Sequence, residues 1–140
     1  MKHIQCSGLI LYNEMGQILL EDRRRIKKHG EHWSFFGGSI KKGETKEQAL
    51  VREIKEELNY DLKSYDFMAE YNFSPKEGLE LTYFMYTSPL PTDVKLTPHS
   101  QANMKLFTIK QALRLKMIPM DKKIINDFYT TCDTKPTQTP

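Results

Sequence analysis

The chain has 140 residues, of which 39% are hydrophobic and 28% charged, so fibrous, collagen-like and disordered classes are excluded and one self-burying domain is expected. Twenty-one Lys and Arg against eighteen Asp and Glu leave +3, a balance that suits an anionic ligand but is too small to argue for duplex nucleic acid. Cys6 and Cys132 have neither disulfide-framework nor zinc spacing, which points to a reducing cytoplasm.

The apolar run from Leu9 to Tyr12 is shorter than the roughly 7 to 15 residues of a signal-peptide core. No stretch approaches the roughly 20 apolar residues of a membrane span, so no membrane partner is expected. Residues 3–12 alternate weakly and end at Asn13-Glu14-Met15-Gly16, and Gln17–Leu20 reads as the returning strand of a first hairpin. A basic run follows, Arg23, Arg24, Arg25, Lys27, Lys28 and His29, and then the loop-like passage HWSFFGGSIKKGE.

From Thr45 to Leu58 there is no Gly or Pro. Ala49, Leu50, Ile54 and Leu58 recur at helical spacing, and Thr45 with Gln48 has the form of a capping box. Tyr65–Phe73 and Leu79–Tyr86 read as strands around the five-residue loop Ser74–Gly78, with Phe67, Ala69, Tyr71 and Phe73 on one face. Pro89, Pro91 and Pro98 bound a loop. Met104–Phe107 is a short apolar stretch, and Ile109–Leu115 and Asp121–Tyr129 read as helices. Residues 1–130 thus form one domain, and 131–140, rich in Thr and Pro, read as a frayed tail.

Within the helix, Glu53, Glu56 and Glu57 stand at i, i+3 and i+4, which puts three carboxylates on one face, where like charges repel. Arg52 offsets part of that charge; a divalent cation would offset the rest, and an all-oxygen ligand set suits Mg²⁺. Gly37-Gly38 precedes this helix, and the missing Cβ atoms let the main chain approach a metal or ligand.

Gly38, five residues, Glu44, seven residues, and then Arg52-Glu53-Ile54-Lys55-Glu56-Glu57-Leu58-Asn59-Tyr60 resemble the Nudix box, Gly-x5-Glu-x7-Arg-Glu-U-x-Glu-Glu-x-Gly-U, with U bulky and apolar. Seven of the nine defined positions in residues 38–60 match, Tyr60 fits as a bulky residue, and Asn59 replaces Gly. Asn is the next most tolerant residue for the left-handed conformation that ends a helix. Phe35-Phe36-Gly37-Gly38 stands where many members carry Leu-Pro-Gly-Gly or Phe-Pro-Gly-Gly.

The resemblance implies the Nudix fold, an α/β/α sandwich around a mixed β-sheet. It implies hydrolysis of a nucleoside diphosphate linked to another moiety, with Mg²⁺ or Mn²⁺, by water attack on phosphorus. By that similarity Gly37, Glu53, Glu56 and Glu57 would hold the metal, Glu44 would ligate it or stand behind the ligands, and Arg52 would orient the glutamates. The water-activating base is expected in Glu53 or another carboxylate of the box, with His99 on the later loop as the alternative.

For the substrate, a (d)NTP, oxidised or not, is favoured over a nucleotide sugar such as ADP-ribose because the chain is small. The competing function is a Nudix-fold sensor that binds a nucleotide or RNA end without turnover. Arg24, Arg25 and Lys28 either clamp phosphates or are simply exposed. Trp33, Phe35, Tyr71 and Phe84 either line a base pocket or pack the core, and Asn103 either reads a base edge or lies on the surface. A monomer or a homodimer is expected, the latter through an exposed edge strand after Leu79.

Overall fold

The computed structural model describes residues 1–24, 32–92, 96 and 103–134. Strand β1 (Lys2–Tyr12) turns at Asn13, whose Oδ1 accepts from the backbone N–H of Met15 (3.1 Å) and Gln17 (2.9 Å). This is the local chemistry that makes Asn a turn residue. The chain returns as β2 (Ile18–Asp22), with Leu11 opposite Leu19 and Tyr12 opposite Ile18.

The aromatic and glycine passage is not a loop. It supplies β3 (Trp33–Ser34), paired with β2, and β4 (Phe36–Ser39), which runs antiparallel to β1 with Gly37 opposite Gly8 and Gly38 opposite Ser7. Glycine weakens a strand in isolation, but here it lets two backbones and a helix meet closely. Helix α1 (Lys46–Leu58) follows, with Thr45 as N-cap and a complete capping box to Gln48.

Strands β5 (Asp66–Lys76) and β6 (Leu79–Pro89) form a long hairpin. Its turn is only Glu77-Gly78, because Ser74-Pro75-Lys76 stay in the strand with Ser74 Oγ donating to the Leu79 carbonyl (2.6 Å). A register shift between Phe67 and Ala69 separates residues expected on one face. Phe67 meets Tyr86 (ring centroids 5.3 Å apart), whereas Ala69 and Tyr71 join the opposite core cluster. A bulge of this kind reverses the facing of every residue beyond it.

Strand β7 (Asn103–Phe107) pairs antiparallel with β2. Helix α2 is shorter than expected, Ile109–Ala112: Thr108 and Gln111 cap its start, and i to i+3 bonds from Arg114 and Leu115 tighten its end. Helix α3 runs Pro119–Thr134, so the first four residues of the expected tail are helical, and residues 135–140 lie outside the described residues.

The sheet is mixed, in the order β3-β2-β1-β6-β5 with β4 also on β1 and β7 on β2. β1 is parallel to β6 along its whole length, from Lys2 opposite Leu79 to Tyr12 opposite Pro89. β6 is therefore interior and β5 flanks it, so the strand after Leu79 offers no edge for pairing two copies.

A central parallel pair needs cover on both faces. Leu9, Leu11, Leu19, Phe36 and Tyr86 point toward Leu50, Ile54 and Leu58 of α1, while Ile10, Ile18, Leu20 and Met85 point toward Ala112, Ile124, Ile125 and Phe128 of α2 and α3. This alternation along β1 and β2 is the period of two, and the result is an α/β/α sandwich. Among the described residues, no helix is long and apolar enough to cross a membrane.

Candidate active site

Helix α1 is fixed at both ends, which sets where its glutamates lie. Ser7 Oγ, fully buried in β1, donates to the Lys46 carbonyl (2.7 Å), and the Tyr86 hydroxyl donates to Glu47 Oε2 (2.6 Å). At the other end Asn59 takes the left-handed conformation (φ 52°), with its N–H on the Lys55 carbonyl (3.0 Å). The departure from Gly in the box is thus accommodated without loss of the helix stop.

The two glycines of β4 set the distance between helix and sheet. At Gly37 φ is +139°, and a Cβ there would lie 2.1 Å from the Ser7 carbonyl oxygen; both facts exclude other residues. Gly37 N–H donates to Glu57 Oε1 (2.8 Å). At Gly38 a Cβ would lie 2.3 Å from Glu53 Oε1. The missing side chain at Gly38 therefore leaves the space that Glu53 occupies, and the one at Gly37 lets β4 close on β1.

Arg52 organises the acids on the helix's outer flank. Its Nε and Nη2 donate to both oxygens of Glu44 (2.6 and 2.9 Å), Nη1 donates to Glu53 (3.3 Å) and Glu56 (3.1 Å), and Nη2 also reaches the Ser39 carbonyl (3.0 Å). This fork-to-carboxylate geometry is the strong form of the interaction. Lys41 N–H donates to the same Glu44 (2.8 Å). The Arg52 bond and the Lys41 N–H hold the Glu44 carboxyl down to about 2.

Glu53 and Glu57 behave in the opposite way. Burial raises the Glu53 carboxyl, against the pull of Arg52. Burial, then the charge of Glu21, pushes Glu57 up to about 8 despite its bond from Gly37. Glu21, on β2 and 3% exposed, pairs with Arg23 (3.0 Å).

A cavity of about 840 Å³ opens beside these groups, lined by Glu53, Glu57, Gly37, Gly38, Arg23 and Lys41 at one side. Phe35, Met85, Ile118, Ile4, Leu81 and Tyr83 add apolar lining, and Asp121 adds a carboxyl. Asp121, at the start of α3, is 1% exposed.

Of the residues singled out in the sequence, Gly37, Glu53, Glu57 and Phe35 meet on this cavity. Glu44, Arg52 and Glu56 form the network behind it. Trp33 and Arg24 stack on one another (5.5 Å), with Trp33 edge-on to Phe107 (4.9 Å); Arg24 is tied to Asp22, and neither lines the cavity. Tyr71 is core, its hydroxyl donating to Asp127 (2.7 Å). Phe84 lies beneath Lys46 (5.4 Å) on the α1 face, and Asn103 is exposed on β7 opposite Asp22. Arg25, Lys28 and His99 lie outside the described residues.

Arg23 as distinct from its basic neighbours, Lys41 and Asp121 line the cavity and escaped the sequence reading, as did Glu21, a buried charge that acts on Glu57 from β2. A signal existed for Glu21, a charge directly continuing the apolar run Ile18-Leu19-Leu20. None existed for Asp121, whose place depends on where α3 crosses the sheet.

The donor set suits a hard divalent cation. Glu53 and Glu57 present carboxylate oxygens to the cavity; burial raises both, neighbouring carboxylates add to that, and a positive charge between them would relieve it. Glu56 is exposed and turned to Arg52, and among the described residues no three His, Cys, Asp or Glu side chains converge. Mg²⁺ needs only one or two protein carboxylates, so two facing the cavity are sufficient.

A NUDIX domain family model matches residues 2–128, and the chain belongs to that family. The CTP pyrophosphohydrolase of Escherichia coli (strain K12) is 34% identical over 137 residues, which cover 97% of this chain and 98% of that protein. An uncharacterized Nudix hydrolase of Listeria monocytogenes is 28% identical over 108 residues, covering 76% of this chain but only 64% of the relative, so the chain spans less than two thirds of it. The solution structure of the E. coli ORF135 protein superposes with a TM-score of 0.78 at 25% identity, covering 97% of this chain and 95% of that one.

Proposed function

We propose that the protein hydrolyses a nucleoside triphosphate to the monophosphate and pyrophosphate, using Mg²⁺ or Mn²⁺. The observation that carries this reading is the convergence of Glu53 and Glu57 on Gly37-Gly38 at the wall of the cavity. In this reading Glu53 and Glu57 hold the cation, with main-chain oxygens of the glycine strand completing the protein's share. The bound cation would neutralise phosphoryl charge and lower the pKa of a water.

The chain's own residues supply the rest. Glu53, half-buried and raised by that burial, takes the proton of the attacking water. The water oxygen bonds to phosphorus as the anhydride P–O bond breaks, and pyrophosphate leaves with that electron pair. Arg52 keeps Glu53 in place through the rigid Glu44 fork. Phe35, Met85 and Ile118 give the base an apolar wall, and Asp121 accepts a hydrogen bond from an exocyclic amino group. Cytosine, adenine and guanine carry such a group and uracil and thymine do not, which accords with the name of the E. coli relative, a CTP pyrophosphohydrolase.

The test is pyrophosphate release from a panel of nucleoside triphosphates, ADP-ribose and capped dinucleotides, with Mg²⁺, with chelator, and with Glu57→Gln. Metal-dependent release from an amino-bearing nucleotide, lost in the variant, is the expected result. Metal-dependent binding without turnover of any substrate overturns the reading in favour of a nucleotide sensor.

A further inference from the structure

Arg23 and Lys41 line the cavity with Glu53 and Glu57, and Arg52 stands behind them; the two arginines are already committed. Arg23 is paired with Glu21 (3.0 Å), and Arg52 is shared among Glu44, Glu53 and Glu56. Lys41 lines the cavity with Gly38, Ser39 and Glu53, yet among the described residues no carboxylate lies within ion-pair distance of its ammonium.

Its backbone is nonetheless fixed, while its side chain is exposed. The Lys41 backbone N–H is held by Glu44 Oε1 (2.8 Å), its carbonyl accepts from Glu44 N–H (3.0 Å), and Glu44 is itself clamped by Arg52. The ammonium is close enough for its charge to act on both Glu53 and Glu44. Lys41 thus rides on a rigid turn while its side chain keeps three unspent donors.

Direction along the strand decides what those donors meet. Along the chain Phe35 precedes Gly37-Gly38, and Ser39 and Lys41 follow them, as β4 runs from opposite Leu9 to opposite Cys6. With the base against the apolar wall and the scissile anhydride at the glutamates, the end of the phosphate chain farthest from the base is the part that arrives at Lys41.

We infer that Lys41 binds the terminal phosphate of the substrate and sets a preference for nucleoside triphosphates over diphosphates. This rests on the reading of the site as a nucleotide pyrophosphohydrolase. A charge-assisted contact to one phosphate would be used by CTP and absent with CDP.

The experiment compares kcat and KM for CTP and CDP in the wild type, Lys41→Met and Lys41→Arg at saturating Mg²⁺ and fixed ionic strength. Lys42→Met, exposed and off the cavity, is the control. Lys41→Met is expected to lose about 10- to 100-fold in kcat/KM for CTP, the range of hydrogen bonds to charged groups, and less than about threefold for CDP. Lys41→Arg restores most of the loss, and Lys42→Met changes neither.

Equal losses on both nucleotides, or none on CTP, overturn the inference. Calorimetric titration with Mg²⁺ and inorganic tripolyphosphate separates it from the wider reading: about tenfold weaker binding by Lys41→Met is expected, and equal binding overturns it. If the wild type turns over neither nucleotide, the pyrophosphohydrolase reading falls, and the tripolyphosphate comparison alone decides the role of Lys41.

Discussion

Gly38 and Glu53 contend for one volume: a Cβ on residue 38 would fall 2.3 Å from Glu53 Oε1 and 2.5 Å from its carboxyl carbon. The glycine is therefore a condition for the position of the carboxylate, not only for the turn of the chain. Gly38→Ala should displace Glu53 and lower kcat by about 100-fold or more, the scale of a misplaced general base. The fold should survive with a loss of roughly 1 to 3 kcal/mol, typical of overpacking. Steady-state kinetics beside thermal unfolding checks both; an active Gly38→Ala protein would show that Glu53 does not need this position.

The Arg52–Glu44 fork makes acid stability a readout of the site. Glu44 is held from 4.5 down to about 2 in the fold, chiefly by Arg52. Its contribution is present above about pH 4.5 and is lost as pH falls from there toward 2. Glu44→Gln should flatten this limb of the stability curve. Denaturant titrations at pH 6, 4 and 3 check it: the gap between wild type and variant should close as pH falls.

Glu57 works in the other direction. Burial and Glu21 push its carboxyl up to about 8, so the cation-free fold holds a proton at neutral pH that the unfolded chain has released. This contribution to stability is full below about pH 4.5 and is lost as pH rises toward 8. With Glu57 as the proposed ligand, cation uptake expels that proton, so Mg²⁺ or Mn²⁺ affinity should rise with pH up to about 8 and binding at pH 7 should release protons. Calorimetry in buffers of different ionisation enthalpy measures that release, and Glu57→Gln should abolish it.

The box, its helix and its capping were legible because each is local: periodicity, a cap and fixed spacing lie within residues 38–60. The cavity-facing pair Glu53 and Glu57 and the clamp Arg52 follow from the same segment. What was not legible depends on contacts between distant segments. Gly37-Gly38 looked like a loop because strand propensity cannot register that β1 and α1 close on it. Phe67 looked like a partner of Tyr71 because a bulge leaves no mark on the alternation. Asp121 and Lys41 face one cavity only through the crossing of α3 and the clamp on the β4–α1 turn.

Tyr71 separates core from site. Its hydroxyl joins β5 to α3 through Asp127 (2.7 Å), which Lys123 also contacts (3.0 Å). Tyr71→Phe should cost about 1 kcal/mol of stability, as for a single side-chain hydrogen bond, and leave KM for the nucleotide unchanged. A raised KM at unchanged stability would return Tyr71 to the substrate pocket.

The most direct test of the account is the turnover of Glu53→Gln, with Mg²⁺ saturating and thermal unfolding measured alongside. The variant keeps the shape of the side chain beside Gly38 but cannot accept the proton of the attacking water. A fall in kcat of about 100- to 10,000-fold, the range for a lost general base, with little change in KM and an intact fold, is the predicted result. Turnover within about tenfold of the wild type, too small for that role, would contradict it.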